Sequence, residues 1–423
     1  MKILSKLSSA LIIPSLLATA STGMAYPLDG YEDTGIRRVE GARLANEGLA
    51  AGSPQPPGAM LTTEQVDLRL TGKSVTLPAA DPAFAAQIKK LLGANSGNYG
   101  IAVLDISNPD NPRYAEHRGD HRQNVGSVGK LLAAVGYLQA LADTWPDDLD
   151  RRKAILRDSI ITADNFSRSD HHKVRLFNVE TRKLSRRALK DGDQGSVWEY
   201  LDWMLSVSSN SAAAMVMRDA MLLSHFGKEY PVSEERIDTF FSDTPRGELT
   251  RLFQKTFWEP MTRNGLSLDQ IRQGSFFTYQ GKANVNGGGN SYASARSLME
   301  ILLKMESGVL VDEWSSRELK RLLYMTERRI RYASAPVLKE AAVYYKSGSL
   351  YKCDKTGGAK CVAYSGDIYN YMNSVAIVEQ EIDGVKLHYM ATVISNVLGK
   401  NSAVEHQTFG TRVHKLIRQE HVK

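Results

Sequence analysis

Residues 124–143 read NVGSVGKLLAAVGYLQALAD, in which Ser127 and Lys130 stand three apart at the start of an apolar helix. Three chemistries use a stretch of this kind. A phosphate cradle needs Gly five residues before the Gly-Lys pair and Ser or Thr after the lysine, but Asn124 and Leu131 hold those places. A nucleophile elbow, Gly-x-Ser-x-Gly, needs Gly two before the serine, and Val125 stands there. The third is a serine nucleophile with a lysine base. A step of three residues is nearly one helical turn, so both side chains project from one face. A serine in the first turn also meets free backbone N–H groups and the positive end of the helix dipole, which suits a developing oxyanion. The lysine can act as base when burial and positive neighbours lower its pKa. A capped helix with a solvent-facing lysine fits the same pattern, so the rest of the chain has to decide.

Outward from this stretch the elements alternate in a definite order. DPAFAAQIKKLLGA from Asp81 has an Asp cap, a Pro in the first turn and apolar residues at helical spacing. NYGIAVLDIS follows as a strand, NPDNP as a turn and RYAEHR as a second strand. After the Ser127 helix, residues 143–194 are charged and expected to be mostly helical or looped. GSVWEYLDWMLSV (195–207) is an amphipathic helix that stops at SSNSAAAMVMRDAMLL, where another begins. Residues 226–290 look irregular, and YASARSLMEILLKMESG is a further amphipathic helix. AAVYYKSGSLY reads as a strand, and NSVAIVEQEIDGVKLHYMATVISNV as two strands joined at Asp383-Gly384, a hairpin signal. SAVEHQTFGTRVHKLIRQ closes the chain as a helix. The expected fold is α+β, a three-layer α/β/α arrangement. One antiparallel five-stranded sheet carries the terminal helices, and a helical lobe of about residues 120–300 is inserted between strands two and three.

Two more short motifs fall on this frame. Ser208-Ser209-Asn210 lies at a junction of two helices, and Lys346-Ser347-Gly348 on a strand. Ser-x-x-Lys, then Ser-Asp-Asn, then Lys-Thr-Gly is the ordered set of class A β-lactamases and penicillin-binding proteins. The chain therefore resembles the serine β-lactamase and penicillin-binding-protein superfamily, closest in layout to class A β-lactamases. The resemblance covers about residues 81–420 and is carried by GIAVLDIS, NVGSVGKLLAAVGYL, WMLSVSSNSAAAM and YYKSGSL. It implies that Ser127 attacks a β-lactam or D-Ala-type peptide carbonyl, that Lys130 acts as base or as part of the proton relay, and that Ser208 passes a proton to the departing nitrogen. It implies substrate-binding roles for Asn210, Lys346, Ser347 and Gly348, and an oxyanion hole from the N–H groups of Ser127 and Ser349. It implies no metal or organic cofactor, and as partner a β-lactam or a D-Ala-terminated cell-wall peptide. Ser209 stands where Asp is usual, and Ser347 where Thr is commoner. Class A enzymes activate the deacylating water with a loop Glu; FWEPMTRN offers Glu259 for that place, with Glu248 behind it. The expected function is therefore an exported serine hydrolase that cleaves β-lactam amide bonds through an acyl-enzyme; without a placed base the penicilloyl-enzyme would hydrolyse slowly, and the alternatives are a D-Ala-D-Ala carboxypeptidase inhibited by β-lactams or a penicillin-binding sensor.

The bulk properties set the surroundings. A chain of 423 residues, 42% hydrophobic and 24% charged, is ordinary for a globular protein. Lys2 and Lys6 precede ALIIPSLLATA, and Gly23 and Ala25 fit the −3 and −1 positions of a cleavage site. Residues 1–25 thus read as a secretory signal peptide cut near Ala25, which places the mature protein in the periplasm or outside the cell with no remaining membrane span. Losing those two lysines takes the net charge from +6 to +4, too little for a nucleic-acid footprint. In an oxidising compartment Cys353 and Cys361, the only two cysteines, are expected to pair across a short turn. Such a bridge contributes about 2–3 kcal/mol in the chain-entropy model. Residues 26–60, rich in Gly, Pro and Ala, read as an extension or linker, and 65–78 as a small hairpin. Asp170-His171-His172 reads as an exposed polar loop, and the basic run from Lys173 to Lys190 as a solvated helix face.

Overall fold

The computed structural model describes residues 29–422 except 74–75, 328, 355 and 357–359. The expected signal peptide lies outside the described residues. The five-stranded sheet runs in the order Ala342–Lys352, Tyr369–Ile382, Val385–Asn396, Tyr99–Asp105, Arg113–His117, with every neighbour antiparallel. In chain order these are strands three, four, five, one and two, so the whole lobe is inserted between two and three. The Asp383-Gly384 turn joins strands four and five with φ of 52° and 78°, the left-handed pair that a two-residue hairpin requires.

Strand one is buried along its whole length because both faces of the sheet are covered. Ile101 and Val103 pack with Phe84, Ile88, Phe409, Val413 and Ile417 of the terminal helices, Pro82–Leu91 and Ser402–His421. Ala102 and Leu104 face the other way, into a core shared with Leu131, Tyr137, Trp203 and Met215 of the lobe. The first helix starts where its residues dictate: Asp81 accepts from the N–H groups of Ala83 and Phe84, and Pro82 fills the position that needs no donor. The lobe is centred on three helices, Lys130–Thr144, Val197–Leu205 and Asn210–Phe226. Helices Ala295–Glu306 and Glu313–Tyr324 lie against the sheet and lead back to strand three, so helical chain extends past residue 300.

Several local expectations give way to the structure. Residues 226–290 are not irregular: helices span Glu234–Asp243 and Arg246–Phe257. The basic run is not a helix face but a two-stranded hairpin, Val174–Asn178 with Lys183–Arg187, in which Arg175 pairs with the buried Glu327 at 2.6 Å. No strand forms among the described residues of 65–78; Val66 and Leu70 are instead buried in the lobe-side core.

The stretch read as a linker holds a helix, Arg37–Asn46, docked on the lobe. Ile36 and Val39 are fully buried there, and Arg38 forms an ion pair with the buried Asp202 while donating to Met325 O at 2.6 Å. Arg37 reaches Glu199 with two bonds of 2.8 Å. Composition hid this helix because its anchor is a charge pair across 164 residues of sequence. Arg38→Ala strands a buried carboxylate and is expected to cost about 3–5 kcal/mol in urea denaturation of the mature protein. A change below about 1 kcal/mol, the size of an exposed pair, would show the helix to be peripheral.

Candidate active site

Asn124 accepts from Gly126 N at 2.9 Å and so folds its own turn, while Gly126 takes φ +53°. Gln123 Nε2 donates to Asn373 Oδ1 at 2.7 Å, and Asn373 Nδ2 donates to the Asn124 carbonyl at 3.2 Å, which fastens the turn to strand four. Ser127 lies in the 3-10 turn Gly126–Gly129, one step before the helix that Lys130 opens. The close approach of strand three to this turn needs Gly348. A Cβ there would stand 2.1 Å from Val125 O and 2.9 Å from Ser127 N. Ser349 follows on the same seam, its N–H beside Gly126.

Lys130 has no exposed surface. Its Nζ lies 3.1 Å from Ser127 Oγ, 2.6 Å from Ser208 O, 3.2 Å from Ser208 Oγ and 2.7 Å from Asn210 Oδ1. Ser208 adopts φ +65°, an uncommon conformation for a residue with a side chain. Its carbonyl thereby meets Lys130, and its hydroxyl stands between the two amines, with Lys346 Nζ donating to it at 2.8 Å. Lys346 is buried and also donates to Ser347 O at 3.0 Å. Three segments distant in the chain thus place Ser127, Lys130, Ser208, Asn210 and Lys346 in one hydrogen-bonded group, with Ser347, Gly348 and Ser349 along its edge.

Burial disfavours the charged form of both amines. Burial pulls the Lys130 ammonium down to about 7, against the opposing pull of the Asp170 carboxylate. Burial, then the positive charges of Lys130 and Arg331, hold Lys346 well below the usual lysine range. At neutral pH a good part of Lys130 is therefore free amine, able to accept the Ser127 proton. Acylation should rise with pH through about 7 as that amine loses its proton, and fall on the acid side.

Glu259 does not join the group. It begins the short helix Glu259–Arg263 on the outside of the lobe and lines a surface hollow with Gln139, Asp143, Lys255 and Arg263. Glu248 is exposed, 3.8 Å from Arg251. The residues that crowd the Ser127–Lys130 turn from that side are Gln273 and Phe277. A Cβ on Gly129 would meet Gln273 Oε1 at 2.6 Å, and the Phe277 ring centre lies 5.0 Å from Lys130 Nζ. Residues 270–294, which include both, contain no Asp or Glu.

Two site residues had no sequence signal. Arg331, at φ +52°, donates to Gly348 O at 3.1 Å and brings a buried guanidinium to the edge of the cleft. Asp170, read as part of an exposed polar loop, has a side chain only 1% exposed and lies under the Ser208–Asn210 turn. The expected disulfide joins Cys353 to Cys361 in the loop after strand three.

A fold of this order, with serine, lysine and hydroxyl brought to one cleft, is that of the serine acyl-enzyme hydrolases. The family described as the β-lactamase enzyme family matches residues 83–381, most of the chain, and the protein belongs to it. It is accordingly a serine hydrolase of the β-lactamase and penicillin-binding type. The chain is similar to a solved β-lactamase of Sphaerobacter thermophilus, with a TM-score of 0.50 at 12% identity over 78% of this chain and 95% of that one. It is also similar to the structure of PBP-A, with a TM-score of 0.48 at 15% identity over 81% of this chain and all of that one. The TLA-3 extended-spectrum β-lactamase gives 0.47 at 14% identity over 79% and 98%. No curated protein matches the chain. Among the described residues no helix is long and apolar enough to cross a membrane.

Proposed function

We propose that the protein is an exported peptidoglycan peptidase of the D-Ala-D-Ala carboxypeptidase kind, which β-lactams acylate at Ser127 and leave slowly. The observation that carries the acylation step is the 3.1 Å approach of Ser127 Oγ to a buried Lys130 amine whose other neighbours are all oxygens. Lys130 takes the hydroxyl proton, and Oγ bonds to the carbonyl carbon. Ser208, held between the two amines, returns a proton to the leaving nitrogen, since a hydroxyl both accepts and donates. The N–H groups of Ser127 and Ser349 receive the oxyanion, and Lys346 with the Ser347 hydroxyl draws the substrate carboxylate into the cleft.

The turnover step separates this reading from the β-lactamase that the sequence led us to expect. That reading needed Glu259 beside the acyl-serine, and Glu259 instead lines an exposed hollow beside Gln139 and Asp143, towards the other end of the helix that Lys130 opens. The side chain found near the Ser127–Lys130 turn is instead Phe277, whose ring centre lies 5.0 Å from Lys130 Nζ and which cannot take a proton from water. Export is supported by the layout of residues 1–25 and by the Cys353–Cys361 bridge, which fits an oxidising compartment.

The test is to follow labelling and release of a fluorescent penicillin by the mature protein, alongside cleavage of a D-Ala-D-Ala peptide. Persistent label with peptide cleavage is the expected result. Rapid loss of label restores the β-lactamase reading, and persistent label without peptide cleavage points to a sensor.

A further inference from the structure

Asp170 comes from the charged insert, 40 residues before the motif it touches. Its Oδ2 accepts from Ser209 Oγ at 2.9 Å, Asn210 N at 2.7 Å and Ser211 N at 3.0 Å. Its Oδ1 accepts from His172 N at 3.1 Å and lies 2.6 Å from His172 Nδ1. One carboxylate therefore binds three consecutive residues at the start of the Asn210–Phe226 helix. Ser209, the N-cap of that helix, is itself fully buried. The next link is short: Asn210 places its Oδ1 2.7 Å from Lys130 Nζ.

We propose that Asp170 is the positioning carboxylate of this active site, supplied from the insert in place of an acidic residue at Ser209, and that it sets the Ser208–Asn210 turn and, through that turn, the oxygens that surround Lys130. Three observations support this. Ser209 Oγ sits 2.9 Å from Asp170 Oδ2, so the hydroxyl and the carboxylate share the space that one acidic side chain at 209 would fill. The strained Ser208, at φ +65°, precedes two residues held by Asp170, which is the over-determination such a backbone needs. Asp170 also provides the negative charge that acts on Lys130 against burial. Asp170, His171 and His172 bring possible metal-ligand atoms within 4.8 Å of one another. With five donors already on its two oxygens, however, Asp170 has its lone pairs filled, and its place is structural. The charged and titratable groups acting on this region are Asp170 and Lys346 beside Lys130, His172 beside Asp170, His171 and Lys130 acting on His172, and Arg331 beside Lys346.

The inference rests on Ser127 acylation, and the experiment separates the two. Four forms of the mature protein are compared for the rate of fluorescent-penicillin labelling across pH 5–9, with thermal unfolding as a check on folding: wild type, Asp170→Asn, Ser209→Asp, and the double variant. Asp170→Asn removes the charge that favours the Lys130 ammonium. Its acid limb should move down by about one pH unit while its plateau falls about ten-fold. Ser209→Asp alone sets two carboxylates against each other and should also fall about ten-fold. The double variant moves the carboxylate from 170 to 209 and should return within about three-fold of wild type, with its acid limb restored. A limb that stays in place in Asp170→Asn, or a double variant no better than either single one, overturns the inference. If Asp170→Asn does not fold, a folded and active double variant supports the exchange, and an unfolded one contradicts it. Wild type that takes no label at all removes the acylation reading instead.

Discussion

Lys130→Ala is expected to slow acylation of Ser127 by about 10²–10⁴-fold, the range for loss of a placed general base. Among the described residues, Lys130 is the side chain that hydrogen-bonds Ser127 Oγ. Lys346 is the other buried amine, but its Nζ donates to Ser208 Oγ and Ser347 O rather than to Ser127. The pH profile adds a second signature. Because burial brings Lys130 down to about 7, the free-amine fraction, and with it the rate, should fall ten-fold for each pH unit below the limb. In the alanine variant that limb should disappear, leaving a low rate governed by hydroxide. A variant that keeps both rate and limb would assign the base elsewhere.

The second large effect is expected at a residue with no chemistry of its own. In Gly348→Ala the new Cβ would meet Val125 O at 2.1 Å and Ser127 N at 2.9 Å, and both are backbone atoms that cannot rotate away. The third strand must then move off the Ser127 turn. That separates Ser349 N from Ser127 N and lengthens the path from Lys346 to Ser208. Losing one oxyanion donor alone costs about 10²–10³ in rate. Labelling by penicillin should fall at least that far, while the sheet persists through its four other strands. Stopped-flow labelling with circular dichroism on the same sample measures both. Labelling within three-fold of wild type would mean that the seam is not where the oxyanion forms.

The sequence was most legible where local chemistry and function coincide. The Asp81 cap, the Asp383-Gly384 turn and strand one follow from residue type and period, and the structure has all three. The convergence of Ser127, Ser208 and Lys346 could be expected because three short motifs keep a fixed order on a fixed frame. What escaped notice is held by distant partners. Arg38 is a surface-type residue until Asp202 is seen beside it, and Asp170 belongs to a polar loop until three N–H and O–H groups are found pointing at it. Arg331 reaches Gly348 from a loop with no periodic signal. Glu259 shows the opposite case: it reads as a loop carboxylate near the acyl-serine, but it begins the short helix Glu259–Arg263 that follows Arg246–Phe257, with its side chain at an exposed hollow. Residues 226–290 looked irregular because their polar faces are wide, although Leu249, Phe253 and Phe257 keep helical spacing and are buried.

The central claim is that Ser127 carries the acyl group, and intact-mass spectrometry tests it most directly. Mature wild-type protein incubated with benzylpenicillin at pH 7.5 should gain one penicilloyl group, and peptide mapping should place it on the peptide that contains Ser127. Ser127→Ala, folded and otherwise identical, should gain none. Wild type that gains no mass, or an alanine variant that gains the same mass, would contradict the account.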